Sequence, residues 1–404
     1  MNSFVFESYS FDQSRMHATF NYSYGKDTYV ETLQLPADMV TVEYDSDVLQ
    51  RALQLYWIAA GISYYKMYFP PKLAFADPAL QLTKEQAEFF NDLYLNGLGE
   101  FLYTNKLDPS EIATFSGTKV EKRAIAQISD QSSGTLLPMS GGKDSILVAE
   151  RLRAANEPIT PVYMSTGPSY PKILDQFGEV IIFTRTLDPK MYQAVDAYRG
   201  HVPFSAILSA VLVILAVLTG KKQIAHSHEA SAAESYVEYN GLSVNHQYSK
   251  SPLFDRKLAD YIDTTILKGL SLYSELAEYS ELQIAKAFVV EGLWRKYKGQ
   301  WSSCNQANYK VGHDNTQLAW CAACSKCMST FLLFAPFVPK SDLIEVIGQN
   351  MVNNPVNNLF IRQLLGQTEH RPFECVGTVA EMRQAVRSAV ATGEWPELSA
   401  YLQT

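Results

Sequence analysis

Three stretches near the start of the chain, FVFESYSFD (4–12), MHATFNYSY (16–24) and YVETLQLP (29–36), alternate apolar and polar positions and are separated by the turn-like QSR and GKD. Alternation with period two puts every second side chain on one face, so these predict strands of a small antiparallel sheet. From Asp47 the period changes. VLQRALQLYWIAAGISYYKMY (48–68) carries a wide apolar stripe at helical spacing, and Pro70 and Pro71 stop it because proline has no amide to donate. TKEQAEFFNDLYLNGLGEFLYTN (83–105) continues the helical period.

At Thr135 the pattern turns to strand, loop and helix. TLLPM (135–139) reads as a short buried strand, SGG as a turn, and KDSILVAERLRAAN (143–156) as a helix with Ile146, Leu147, Ala149 and Leu152 on its apolar side. ITPVYMS (159–165) and VIIFTRT (180–186) follow as strands, then a helix from near Pro203, then the strand QIAHS (223–227). Strands alternating with helices imply parallel pairing through right-handed crossovers. The fold class expected is therefore α/β, a doubly wound parallel sheet with an N-terminal antiparallel β segment and helical additions. The expected division is an N-terminal strand and helical region 1–130, a catalytic region 131–340 and a helical extension 341–404. Ligands gather at the carboxyl ends of such strands, where SGGKDS, MSTG and AHSHEAS fall.

Composition narrows the class. A chain of 404 residues is long for one hydrophobic core, and 47% hydrophobic with 19% charged residues is enough to bury a sizeable interior. A net charge of -8 offers no broad basic surface, which argues against a nucleic-acid partner. The opening residues lack the basic start and apolar centre of a signal peptide, and the longest apolar stretch, Ala206 to Leu218, is too short to span a membrane. A soluble, cytoplasmic protein without a membrane partner is expected. Three of the five cysteines lie in CAACSKC (321–327), which reads as a thiol or metal site in a reducing compartment rather than a disulfide framework.

The candidate chemistry begins at Ser140, Gly141, Gly142, Lys143, Asp144 and Ser145. Two glycines let the backbone turn sharply and approach a ligand, so successive amides and a positive helix end can face an anion. A plain capped turn is the alternative. The string does not align to the Walker loop; it resembles the S-G-G-x-D-S signature of the PP-loop ATP pyrophosphatases. That resemblance implies a loop holding the pyrophosphate end of ATP, with Mg2+, while a substrate is adenylated.

A second constellation follows QIAHS. His228 and His246 titrate near neutrality, Glu229 can bind magnesium or move a proton, Tyr248 can serve as an acid or base, and Lys250 can neutralise a phosphate or carboxylate. Each histidine taken alone reads as structural; clustered at strand ends they become candidates. Cys375 in FECVG is a further candidate, equally readable as buried. Cys304 with Cys321, Cys324 and Cys327 can close a tetrahedral structural Zn2+ site, with Lys326 nearby favouring thiolates. The aromatic run ISYYKMYF reads as helix core, with Lys66 the exception at its rim.

The ordered set AGISYYKMYFP, LLPMSGGKDS, GHVPFSAI, SHEASA, VNHQYSKS, WSSCN, WCAACSKCMSTFLLFAPF and FECVG resembles the bacterial UDP-N-acetyl-α-D-muramoyl-L-alanyl-L-glutamate epimerase family across nearly all of the chain. His228 stands where that family carries asparagine. The resemblance implies an ATP-dependent epimerase that inverts the terminal L-glutamate of a nucleotide-sugar dipeptide through an acyl-adenylate, releasing AMP and diphosphate. Its implied catalytic pool is His228, Glu229, His246, Tyr248, Lys250 and Cys375, unranked, and the oligomeric state is left open. Two other readings stay open on residues alone: a PP-loop enzyme that thiolates or amidates an RNA base or heterocycle, and a non-catalytic ATP-sensing module.

Overall fold

The computed structural model describes residues 3–40, 42–119, 124–165, 167, 169–308 and 314–402. Thr166 of the MSTG stretch lies outside them. The principal strands are β1 (Ser3–Asp12), β2 (His17–Tyr24), β3 (Asp27–Gln34), β4 (Lys72–Phe75), β5 (Thr135–Pro138), β6 (Ile159–Ser165), β7 (Ile181–Thr186), β8 (Gln223–His226) and β9 (Ser271–Ser274). The principal helices are α1 (Ser46–Tyr65), α2 (Lys84–Gly97), α3 (Gly99–Asn105), α4 (Lys143–Ala154), α5 (Phe204–Thr219), α6 (Pro252–Thr265), α7 (Glu281–Val290), α8 (Ser325–Phe334) and α9 (Val379–Ala391). The chain is α/β, with a large mixed sheet and many helices.

It divides into two compact units, one of Met1–Leu136, Ile181–Ala225 and Ser235–Tyr273, the other of Leu137–Val180, His226–Glu234 and Ser274–Thr404. In the first unit β1, β2 and β3 form the expected antiparallel meander. They do not stand alone. β4 pairs in parallel with β1, and β7 pairs antiparallel with β3 in the register Thr184↔Gln34 and Thr186↔Thr32. The expectation that the meander forms a separate small antiparallel sheet is thus corrected: β7, expected among the parallel strands, also continues it. Alternation reports which face is buried and is silent on which strand becomes the neighbour. β8 does pair in parallel with β5, Gln223 opposite Thr135.

The first unit's core lies between this sheet and the two most apolar helices. α1 buries Tyr56, Ile58, Ala60, Ile62, Tyr64 and Tyr65 completely, and packs on α5, whose Ala210 to Leu215 are equally enclosed. Ile62 to Tyr65 of the aromatic run are therefore core, as expected, whereas Lys66, expected at the rim, is buried with them, and Tyr68 and Phe69 are partly exposed. Gly61 lets α1 come close to β1: a Cβ there would stand 2.6 Å from the Phe6 ring, so the approach needs glycine. One buried ion pair crosses this core, Arg185 Nε to Glu31 Oε1 at 2.8 Å, with Tyr56 also donating to Glu31. The long helix expected over 83–105 is two, broken at Leu98 between Gly97 and Gly99, whose low helix propensity makes the break inexpensive.

In the second unit α7 lies against α4, α8 and α9. The end of β5 meets β6 through Met139 N–H to the Val162 carbonyl, 2.9 Å. No helix among the described residues is long and apolar enough to cross a membrane.

Candidate functional site

The glycine loop between β5 and α4 has the backbone that its sequence predicts. Gly141 adopts φ +82°, and a Cβ there would fall 2.4 Å from Leu318, so both conformation and space exclude a side chain. Its carbonyl accepts from Ser302 N–H at 3.2 Å, tying the loop to the WSSCN stretch. Gly142 is the N-cap of α4 and supplies no side-chain cap. The first-turn amides of a helix lack partners within the helix, and such an uncapped end favours an anion. Ser145 Oγ donates to the Gly142 carbonyl, 3.2 Å, bracing the turn.

Lys143 differs from its simplest reading as an exposed cation. It is 1% exposed, its ammonium 2.5 Å from Asp144 and hydrogen-bonded to Glu281, itself 2% exposed. Burial works against the charge, but the two carboxylates outweigh it and raise the lysine's pKa above its ordinary value. Glu281 is a hub the sequence did not reveal. Lys326 stands 3.8 Å from its Oε1 and donates to the Cys375 carbonyl, so its amine is turned to these groups. The Glu281 amide donates to Ser231 Oγ at 3.1 Å, and Ser231 Oγ donates to Glu381 at 2.8 Å. Glu381 belongs to the capping box of α9 with Thr378. Glu281 therefore gathers Lys143 of the loop, Ser231 of SHEASA, Lys326 of the cysteine stretch and, through it, Cys375 of FECVG. The capping boxes S-E-L-Q (280–283) and T-V-A-E (378–381) were legible signals for the two helix starts, but not for this convergence.

His228 and Glu229 follow β8, both buried. The His228 ring stacks on His226 with centroids 4.4 Å apart and planes 8° from parallel, and its carbonyl accepts from Ser274 Oγ. Cys375 is half-buried. These residues, Ser140 to Ser145 and the cysteine cluster all belong to the second unit.

The four cysteines converge. The sulfur atoms of Cys304, Cys321, Cys324 and Cys327 lie within 4.8 Å of one another, and Cys321 Sγ is 3.7 Å from Cys327 Sγ. A tetrahedron with Zn–S bonds of about 2.3 Å has edges of about 3.8 Å. Three backbone amides point at sulfur, from Ala307 to Cys304, Ala323 to Cys321 and Cys327 to Cys324, each at 3.4 Å, as thiolates require. Hydrogen bonds from Cys324 and Cys327 pull the Cys304 thiol far below its usual range, while retaining the shared proton raises Cys327.

His246, Tyr248 and Lys250 belong to the first unit. His246 Nδ1 hydrogen-bonds to Glu100 of α3, and His201 Nδ1 stands 3.4 Å from the same carboxylate. Tyr248 donates to Asp92, which also pairs with Lys257 at 2.5 Å. Lys250 ends the short turn Tyr248–Lys250. Burial, then His246 and Lys66, hold the His201 imidazole down to about 3. Lys66 is 8% exposed, donates to the Gly200 carbonyl, and is lowered to about 8 by burial and then by Arg199.

This lysine has a measurable signature. Below pH 8 it is protonated in folded and unfolded chains alike; between about 8 and 10.5 only the unfolded chain keeps the proton, so its contribution to stability rises with pH. Relative to Lys66→Met, the native chain is expected to gain up to about 3 kcal/mol across that interval. Urea unfolding of both proteins at pH 7.5 and 10.5 measures it, and a pH-independent difference refutes the shift.

Comparisons with known proteins follow the same ground. The MurL N-terminal domain model matches residues 1–275 and the MurL C-terminal domain model residues 300–403. The UDP-N-acetyl-alpha-D-muramoyl-L-alanyl-L-glutamate epimerase of Xanthomonas oryzae pv. oryzae is 33% identical, over 91% of this chain and 81% of its own. Proteins of that name from Micromonospora sp. and Salinispora tropica are 31% and 32% identical, over 98% and 94% of this chain and 88% and 83% of theirs.

Proposed function

Since the chain belongs to the MurL family, represented by UDP-N-acetylmuramoyl-L-alanyl-L-glutamate epimerases, we propose that it inverts the terminal L-glutamate of that nucleotide-sugar dipeptide to D-glutamate, using ATP and releasing AMP and diphosphate. The observation that carries the ATP reading is the loop Ser140–Ser145: a positive-φ glycine, an uncapped helix end and a lysine held between carboxylates. Its supporting frame is a PP-loop pyrophosphatase fold of the HUP-like, doubly wound kind.

A free carboxylate resists loss of the neighbouring α-proton, because the carbanion would form beside an existing negative charge. In the proposed route a glutamate carboxylate oxygen attacks the α-phosphorus of ATP and diphosphate leaves, giving an acyl-adenylate that has lost that charge. One group removes the α-proton and a proton returns on the other face. Water then cleaves the mixed anhydride to AMP and the inverted carboxylate. His228, Glu229, His246, Tyr248, Lys250 and Cys375 form the acid–base pool. Glu229 and Asp144 offer the hard oxygen donors that suit Mg2+, which would offset triphosphate charge.

Incubation with ATP in deuterated water tests the reading. Diphosphate release that depends on the UDP-linked L-Ala-L-Glu compound, with deuterium at the inverted carbon, is the expected result. Inversion without α-deuterium ends the proton-transfer scheme, and inversion without ATP ends the activation step.

The cysteine quartet fits a structural zinc ion in donor type and sulfur spacing, and there it would tie Cys304 to the start of α8. Metal analysis of freshly purified protein is expected to find at least one zinc per chain, with Cys327→Ser losing one equivalent and unfolding at lower urea. Equal metal content in that variant excludes the assignment.

A further inference from the structure

From Glu100, His201 and His246 we propose a second metal site, one for a borderline divalent cation such as zinc, built within the first unit and separate from the cysteines. Three ligating side chains more than 40 residues apart converge here, from the first turn of α3, from the segment before α5 and from the turn before Lys250. One ligand atom from each lies within 4.8 Å of the others. Both imidazoles aim Nδ1 at the same carboxylate oxygen, Glu100 Oε2.

Two imidazoles and one carboxylate are the donor set of open zinc sites, in which three protein ligands leave a position for water or a substrate oxygen. Bonds of about 2.0–2.1 Å in a tetrahedral N/O site separate neighbouring ligand atoms by about 3.3–3.4 Å. His201 Nδ1 and Glu100 Oε2 stand at 3.4 Å. The closer His246 contact widens as an ion enters, and each ring moves its proton to Nε2, so both imidazoles stay neutral. Their side chains keep 15–17% exposure, enough for entry from solvent.

The ligands are also held in place, which a binding site needs and a chance encounter does not. Gly200, at φ +127°, turns the chain into His201. Asn105 Nδ2 donates to the Arg199 carbonyl at 3.0 Å, and Lys66 donates to the Gly200 carbonyl, pinning that turn to α3 and α1. His246 has Tyr236 edge-on with centroids 6.2 Å apart, and the flanking Asn245 side chain accepts from Gln247 N–H at 2.7 Å. The site does not rest on the ATP chemistry proposed above, but a bound metal would occupy His246 and take it out of the acid–base candidates.

Cadmium-113 NMR of the metal-free, full-length chain titrated with Cd2+ alone tests the site, because thiolate and nitrogen/oxygen sites resonate far apart. Two resonances are expected, one strongly deshielded from the four thiolates and one shielded, split by two nitrogens in protein labelled with 15N-histidine. His201→Ala and His246→Ala should each abolish the shielded resonance and leave the deshielded one of the second unit, while an unchanged circular-dichroism spectrum reports that the variant is folded. Glu100→Gln should weaken Cd2+ binding at the shielded site by at least roughly tenfold. A titration that yields no shielded resonance overturns the proposal, as does one whose shielded resonance is unsplit or survives both alanine substitutions. The splitting is read on the unmutated chain, so it decides the matter even if a variant misfolds.

Discussion

Asp144→Ala is expected to lower AMP formation and glutamate inversion together by roughly 10^2–10^3-fold, the scale on which removal of one preorganised polar group from a reacting site is felt. Its side chain is 23% exposed and Lys143 keeps Glu281 as a partner, so the fold should persist. Ser145→Ala, which removes the brace across the loop turn, should act in the same direction more weakly. The measurement is AMP and D-glutamate product from the same reaction, beside a urea midpoint for each variant. If inversion continues at the native rate while AMP formation stops, ATP activation is not part of the reaction. If both persist, the loop is a structural turn.

Glu281→Leu is expected to destabilise the chain by about 3–5 kcal/mol, the loss typical when one member of a buried ion pair is removed and its partner stays charged. Lys143 would keep Asp144 alone, and Lys326 would lose its carboxylate neighbour as well. Glu281→Gln retains the shape and some hydrogen bonding, so its loss should be smaller. Urea unfolding of the three proteins settles the order. A leucine variant as stable as the native chain would show that the Lys143–Glu281 pair contributes nothing beyond what packing replaces. In that case the hub would owe its position to Ser231 and the backbone of α7.

Much of the site was legible because its pieces are local. The glycine pair before KDS requires the turn that Gly141 makes, since no side chain fits at φ +82° against Leu318. CxxCxxC with Cys304 upstream anticipated four sulfurs in one place, and the structure brings them together because Cys324 caps α8 and places Cys327 one turn on. Two signals misled or were missing. The strand alternation of residues 180–186 carried no sign that β7 would join the N-terminal meander antiparallel to β3. Glu281 sits 138 residues from Lys143 in an unremarkable capping box, so nothing in its neighbourhood announced the ion pair.

The sequence by itself determined the elements: where strands alternate, where α1 and α5 must be buried, where the backbone must turn at glycine, and which residue types could carry acid–base, phosphate or metal chemistry. Those properties follow from local sterics, periodicity and side-chain chemistry, each readable within a few residues. Tertiary structure alone decided the partnerships. It set Lys143 against Glu281, turned Lys326 toward Cys375, and joined Glu100 to His201 and His246 within the first unit. It also left His228 and Glu229 with the glycine loop in the second. A charge or imidazole gains its function from what packing places within a few ångströms of it, and that distance is a property of the folded chain.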